Sequence, residues 1–353
     1  MTLVKVGLIG CGRIAQAVHI NILTRLAGTE LVALADPDPQ RREEAKRRAP
    51  AATAFTDYQE LLEGSDVEAV VICLPNALHA EVAVAALQKS KHVYLEKPLA
   101  TTLAEGRQVL AAWRQAGTVG MIGFNFRFNA LYQSMKEHIQ SGRLGELVSV
   151  RSVFSSPVRT LPAWKQSRHS GGGVLFDLAS HHIDLIRFFF GQEICEVFAG
   201  LRSQRTEVDS AMLQLRLADG LLVQSFFSLN AGDDDRFEIY GQAGRLAVDR
   251  YLSLDVEITG PTREFARLKR WMPGVPTLAR SRRLLESILA PNDEPSYRAA
   301  LAHFVAAARA DQPAKPNFWD GYRSLVVVAA AEESVRTGRV VSLSDVPDED
   351  FAR

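Results

Sequence analysis

The sequence predicts an α/β protein in two parts: a doubly wound parallel sheet, then an α+β domain with a large, mostly antiparallel open sheet. Three observations carry this. The chain has 353 residues, about two domains at ~100–200 residues each. Up to about residue 123, short apolar runs alternate with helical patterns. Beyond residue 145, strand-like runs follow one another closely. The boundary is expected at 124/125, dividing the chain into 1–124 and 125–353.

In the first part, strands are expected at Val4–Ile9, Leu31–Ala35, Ala69–Leu74, His92–Leu95 and Thr118–Ile122. They are apolar throughout, as strands are when helices cover both faces of a sheet. Helical patterns lie at about 13–27, 57–63, 79–89 and 102–116. The last opens on Thr102 and Glu105, the spacing of a capping box, and stops at Gly117. Alternating β and α elements argue for a parallel sheet.

In the second part, strand runs are expected at about 147–155, 194–201, 209–218, 221–229, 235–241 and 244–249. Helices are expected near 129–141 and 176–190, with two more at 296–310 and 318–337 closing the chain. Ala211, Leu213, Leu215 and Leu217 fall on one face of their strand, Gln214 and Arg216 on the other. The next strand sets Leu222 and Phe226 against Val223, Phe227 and Leu229, so both faces are partly apolar. Either a second subunit or another part of this chain is expected to cover the outer face. Residues 262–283 hold seven basic side chains and one acidic. A solvated loop is favoured there over a phosphate-binding surface.

Composition removes other classes. With 41 basic and 41 acidic side chains there is no basic field for nucleic acid. At 47% hydrophobic residues the chain is unlike a disordered one. Cys11, Cys73 and Cys195 form no CxxC pair, which speaks against disulfides or a thiolate zinc site and for a reducing compartment. The first apolar run breaks on Gly7 and Gly10, too early for a signal-peptide core. The purest apolar run, Leu325 to Ala331, stops at Glu332 and Glu333, short of the ~18 residues of a membrane span. A soluble cytoplasmic protein is expected, with neither nucleic acid nor membrane as partner.

Gly10-Cys11-Gly12-Arg13-Ile14-Ala15 matches G-x-G-x-x-G/A between a strand and a helical pattern. Gly10 permits the tight turn, Gly12 lets backbone approach a pyrophosphate, and Ala15 keeps helix and strand close. A second strand ends at Asp36, 21 positions after Ala15, where a carboxylate can bind both hydroxyls of an adenosine ribose. That carboxylate repels a 2′-phosphate, so NAD is favoured. Arg41 and Arg42, read first as solvated residues at a helix start, leave NADP open.

Lys97 ends a strand, the edge where ligands sit in such sheets, and Pro98 follows it. Farther on, Asp177, His181 and Asp184 fall within about 60° of one another on an ideal helix, while His182 points elsewhere. A histidine with a carboxylate beside it can take a hydroxyl proton. A metal site is the weaker reading, because the two histidines diverge. Asp184 also has a plain structural partner in Arg187, three residues on. Trp164 and Lys165 precede the glycine run 171–173; they suit the wall of a sugar pocket, and Trp164 suits packing equally.

The chain resembles the glucose–fructose oxidoreductase / inositol dehydrogenase (Gfo/Idh/MocA) family. The motifs that carry this are the fingerprint at 10–15, Pro75-Asn76 with His79, and Glu96-Lys97-Pro98. They continue with Gly171-Gly172-Gly173 leading to Asp177, His181 and Asp184, and with the closing segment 331–343. The resemblance implies a Rossmann domain carrying NAD, or NADP, against Gly10, Gly12, Arg13, Ile14 and Asp36. Pro75, Asn76 and Glu96 would line the nicotinamide and its ribose, with His79 at the helix start close by. It further implies Lys97, Asp177 and His181 as the catalytic set, a cis bond before Pro98, and assembly as a homodimer or homotetramer through the open sheet. Arg127 stays outside the catalytic set. The expected activity is hydride transfer between the nicotinamide and a secondary alcohol or ketone of a sugar, polyol or related carbohydrate. The alternatives are a non-catalytic dinucleotide-bound regulator and an NAD-dependent glycosidase.

Overall fold

The computed structural model describes residues 3–261 and 295–343; the basic stretch at 262–283 lies outside them. Six strands form the first sheet: β1 (Val4–Ile9), β2 (Thr29–Ala35), β3 (Thr53–Phe55), β4 (Ala69–Ile72), β5 (His92–Leu95) and β6 (Gly120–Ile122). Their order is β3-β2-β1-β4-β5-β6, and every pairing is parallel. Order reverses between β1 and β4, which opens a crevice at the strand carboxyl ends. A π-helical turn (Ala15–His19) runs into α1 (Ile20–Leu23). α2 (Pro39–Arg48), α3 (Tyr58–Gly64), α4 (His79–Gln88) and α5 (Leu103–Ala116) follow. The capping box at Thr102 and Glu105 is present, and Gly117 ends α5 at φ 65°.

The second sheet has eight strands: β7 (Leu147–Ser155), β8 (Ile194–Arg202), β9 (Ser210–Leu217), β10 (Leu222–Ser228), β11 (Asp234–Gly241), β12 (Gly244–Asp249), β13 (Glu257–Thr259) and β14 (Val341–Ser342). The order is β13-β12-β11-β7-β10-β9-β8-β14. Only β7 with β10 is parallel; the other pairings are antiparallel. The helices of this half are α6 (Ala130–Gln140), the short α7 (Ala163–Gln166), and α8 (Ser180–Phe190), which a π-helical turn (Leu175–Ala179) precedes. α9 (Pro295–Ala310) and α10 (Phe318–Thr337) are the last helices of the described chain, ahead of β14.

Two apolar clusters hold these layers. One joins a face of the first sheet to the inner face of the second, through Ile72, Leu95, Phe176, Ile183, Leu213, Phe227 and Val327. The other covers the opposite face of the first sheet, where Leu301 and Phe304 of α9 meet Val6, Leu8, Val71 and Tyr94. The last part of the chain thus returns to complete the core of the first. A helix start was expected at Arg41 and Arg42, but the full extent of α2 carries no apolar period, because Ala45 is its one buried residue. β3, β13 and β14 have two or three residues each, too few for alternation to register. β4 stops at Ile72 and β6 starts only at Gly120. Ahead of β6, the Thr118 carbonyl accepts from the Trp113 indole at 2.8 Å.

Candidate active site

The carboxyl edge of the first sheet gathers the dinucleotide fingerprint. Gly10, with φ 92°, follows β1 so closely to the neighbouring strand that a Cβ would lie 2.4 Å from the Cys73 carbonyl oxygen. Only glycine fits that position. At Gly12 a Cβ would meet nothing within 4 Å, so backbone there is open to a ligand. Asp36 is buried, and its carboxylate is already oriented: Oδ2 accepts from the Cys11 N–H at 2.8 Å and Oδ1 from the Asp38 N–H at 2.9 Å. Arg42 donates to the Asp36 and Pro37 carbonyls at 2.6 and 3.4 Å, and Arg41 lies 3.6 Å from Asp38. The Arg42 guanidinium is engaged by backbone, while that of Arg41 is 58% exposed. Burial and the Asp36 charge push the Cys11 thiol up to about 12, so it is inert. Arg13 is exposed and Ile14 half-buried at the mouth of the turn. An open glycine, a close-approach glycine and a fixed carboxylate fit a dinucleotide.

The loops after β4 and β5 lie across from that turn. Asn76 donates through Nδ2 to the Gly171 carbonyl at 2.7 Å, joining the first half to the glycine run of the second. A Cβ on Gly171 would approach Asn76 Cβ to 2.6 Å. His79 is buried, with Nδ1 2.6 Å from the Pro98 carbonyl and Nε2 2.9 Å from that of Leu74. It is therefore a strap between the two loops, with both ring nitrogens engaged by backbone. Glu96 meets His19 Nε2 at 2.8 Å. The Lys97–Pro98 peptide is cis.

Lys97 reaches from this edge to the π-helical turn before α8. Its Nζ donates to the carbonyls of Asp177 at 2.6 Å and Phe176 at 3.3 Å and lies 3.8 Å from Asp177 Oδ1. Burial lowers the Lys97 pKa to about 8 against the opposing pull of Asp177. Asp177 also accepts from Lys165 at 2.6 Å and Arg159 at 3.3 Å. Burial works against its charge, but Lys165, Lys97 and Arg159 together hold its carboxyl well below the usual carboxylate range. His181 stacks on Phe126, ring centroids 4.2 Å apart, and its buried Nδ1 has no hydrogen-bond partner among the described residues. Burial, and then the Lys97 charge, lower its pKa well below the ordinary value, which keeps the ring neutral.

The structure pairs Lys97 with Asp177, the charges of both act on the His181 ring, and Asp184 is instead bound by Arg127. Asp184 accepts from Arg127 Nε and Nη2 at 2.8 and 2.6 Å, and Arg127 also bonds Asp320 at 3.0 Å. A π turn over Leu175–Ala179 advances each residue by less than 100°, which changes the angle between Asp177 and α8, while His181 and Asp184 both stand in α8 itself. Arg187 lies 3.9 Å from Asp184 and spends its main bonds on Glu193, both at 2.7 Å. His182 does point elsewhere, to Asp235 at 3.0 Å. No group of three His, Cys, Asp or Glu side chains among the described residues has the geometry to hold a metal. The sequence reading missed Arg159 and His19, since neither stands in a motif; charge excess near Lys165 was the one signal for Arg159. A depression of about 310 Å³ on the outer face of the second sheet, lined by Ser149, Arg151, Gln214 and Leu222, shares no residue with this site.

This fold and edge define a dinucleotide-binding oxidoreductase. A family model described as "Oxidoreductase family, NAD-binding Rossmann fold" matches residues 4–124, and "GFO/IDH/MocA C-terminal domain" matches 132–247. Inositol 2-dehydrogenase 2 of Saccharopolyspora erythraea is 30% identical, over 97% of this chain and 96% of its own length. Myo-inositol 2-dehydrogenase of Thermotoga maritima is 28% identical, over 97% and 99%. A levoglucosan dehydrogenase solved with NADH superposes with a TM-score of 0.83 at 24% identity, over 98% of this chain and 100% of that one. The chain belongs to the Gfo/Idh/MocA oxidoreductase family, and its first sheet is that family's NAD-binding domain.

Proposed function

We propose that this protein is an NAD-dependent dehydrogenase acting on a secondary alcohol, or the corresponding ketone, of a sugar or polyol. The observation that carries the reading is the Lys97–Asp177 contact, with both charges acting on the His181 ring, beside the strand edge that bears the glycine turn and Asp36. The naming of relatives as inositol dehydrogenases supports a polyol or related carbohydrate as the substrate class. Residues 1–124 serve as the cofactor unit and 125–353 as the substrate unit, in the cytoplasm and as a homo-oligomer.

Gly10, Gly12, Arg13 and Ile14 hold the pyrophosphate, and Asp36 the adenosine ribose. Pro75, Asn76 and Glu96 line the nicotinamide end, with His79 holding their loops in place and His19 orienting Glu96. NAD, when bound, supplies the hydride acceptor. His181, kept neutral, removes the hydroxyl proton. Lys97 donates a hydrogen bond to the same oxygen and stabilises its developing charge. Asp177 keeps Lys97 positively charged and in place. Lys97→Ala is expected to lower turnover by about 10²–10³-fold, and His181→Ala by roughly 10²–10⁴-fold, with NAD affinity nearly unchanged. The assay is NADH absorbance with a panel of sugars and polyols. Full activity in both variants, or sugar release without NADH, would overturn the assignment.

A further inference from the structure

The site carries more positive charge than this chemistry uses. Lys97 and Lys165 both lie within 3.8 Å of one oxygen, Asp177 Oδ1, and Arg159 sits 3.3 Å from the other. Three cations therefore face one carboxylate. Other cations nearby are matched: Arg168 pairs with Glu332, and Arg250 lies 2.6 Å from Asp235; the Glu96 charge acts on Lys97, leaving Lys165 and Arg159 as the outer cations. Asp177 carries one negative charge against three positive ones, and those three repel one another. Lys165 and Arg159 both add to the depression of Lys97, after burial. That is a standing cost in the free enzyme unless a ligand anion offsets it.

Exposure indicates where such an anion would sit. The Asp177 side chain is 15% exposed, beneath the Lys165 and Arg159 side chains at 27% and 42%. Lys165 also lies 5.3 Å from the Trp164 ring centroid. The two outer cations thus rim the reaction centre and keep donors free, since an ammonium has three N–H groups and a guanidinium five.

We propose that Lys165 and Arg159 recognise an anionic group on the substrate, so that the enzyme's substrate is a sugar or polyol bearing a carboxylate or a phosphate. This rests on the dehydrogenase reading above and narrows it.

The test compares the purified protein on D-glucuronate, D-gluconate, D-glucose 6-phosphate and the neutral compounds D-glucose and myo-inositol. NADH formation is followed in one arm, and calorimetric binding to the NADH-loaded protein in the other. One of the anionic probes is expected to be preferred over the neutral ones, and which one is preferred separates carboxylate from phosphate. That preference should fall roughly tenfold in Lys165→Gln and again in Arg159→Gln, since each removes a charge-assisted bond. Lys165→Arg and Arg159→Lys should retain it, which a merely structural role for either residue would not require. Equal or better use of the neutral probes, or a preference unchanged in both glutamine variants, overturns the inference and leaves the dehydrogenase reading standing. No NADH from any probe overturns that reading alone, because the binding arm still decides whether anions are preferred.

Discussion

At the residue scale, the site is governed by the competition between burial and charge. Burial alone would neutralise Asp177, yet three cations hold it ionised. The same burial brings Lys97 to about 8 and keeps His181 neutral. The proposed roles need Lys97 protonated and His181 unprotonated. Lys97 has a lowered pKa, so its useful form is complete below about 8 and lost above it. His181 titrates well below its ordinary range, so its useful form persists through neutral pH. kcat/KM is therefore expected to be flat across neutral pH and to fall above about 8, measured by initial rates with the cofactor saturating. A rate rising through that value would make Lys97 the base in place of His181.

At the element scale, the link after β6 is fixed to two helices by one guanidinium. Arg127 stands in a short 3₁₀ turn (Asn125–Phe128) and bonds Asp184 of α8 and Asp320 of α10. Asp184 is 1% exposed, and burial already works against its charge. Removing the guanidinium leaves two buried carboxylates short of a partner. Arg127→Met should cost about 3 kcal/mol, read as a lower denaturation midpoint, while Arg127→Lys recovers part of it. The neighbouring Phe126 carries His181 on its ring, so this turn also seats the proposed base. The sequence marked Arg127 and Asp184 separately. Their pairing joins residues 57 positions apart, beyond the reach of any helical period.

At the scale of the whole molecule, the outer face of the second sheet carries exposed apolar side chains. Leu222, Met212 and Phe198 on it are 59%, 53% and 39% exposed, so no other described part of the chain buries them. Apolar side chains spread over one sheet face suit a subunit contact. The proposed homo-oligomer should appear by light scattering after gel filtration, and Met212→Glu with Leu222→Glu should shift it to a monomer. A monomeric wild-type protein would overturn the assembly. The inner face and the first sheet share one apolar cluster, which holds Asp177 and His181 of one half opposite Lys97 of the other.

The sequence by itself determined the parallel sheet, the glycine turn, Asp36 at the end of the second strand, and Lys97 at the edge of the fifth. Each follows from local pattern: apolar runs, glycine positions and spacing within one βαβ unit. It also marked Asp177 and His181 by motif. Tertiary structure decided what these residues touch. The π turn before α8 changed the angle of Asp177 to that helix, and Arg127 bound Asp184. His79 was committed to two carbonyls, and Arg159 entered from a loop without a motif. Local rules describe a residue's neighbours along the chain. The charge balance around Asp177 depends on groups up to 80 positions apart, and only packing sets those distances.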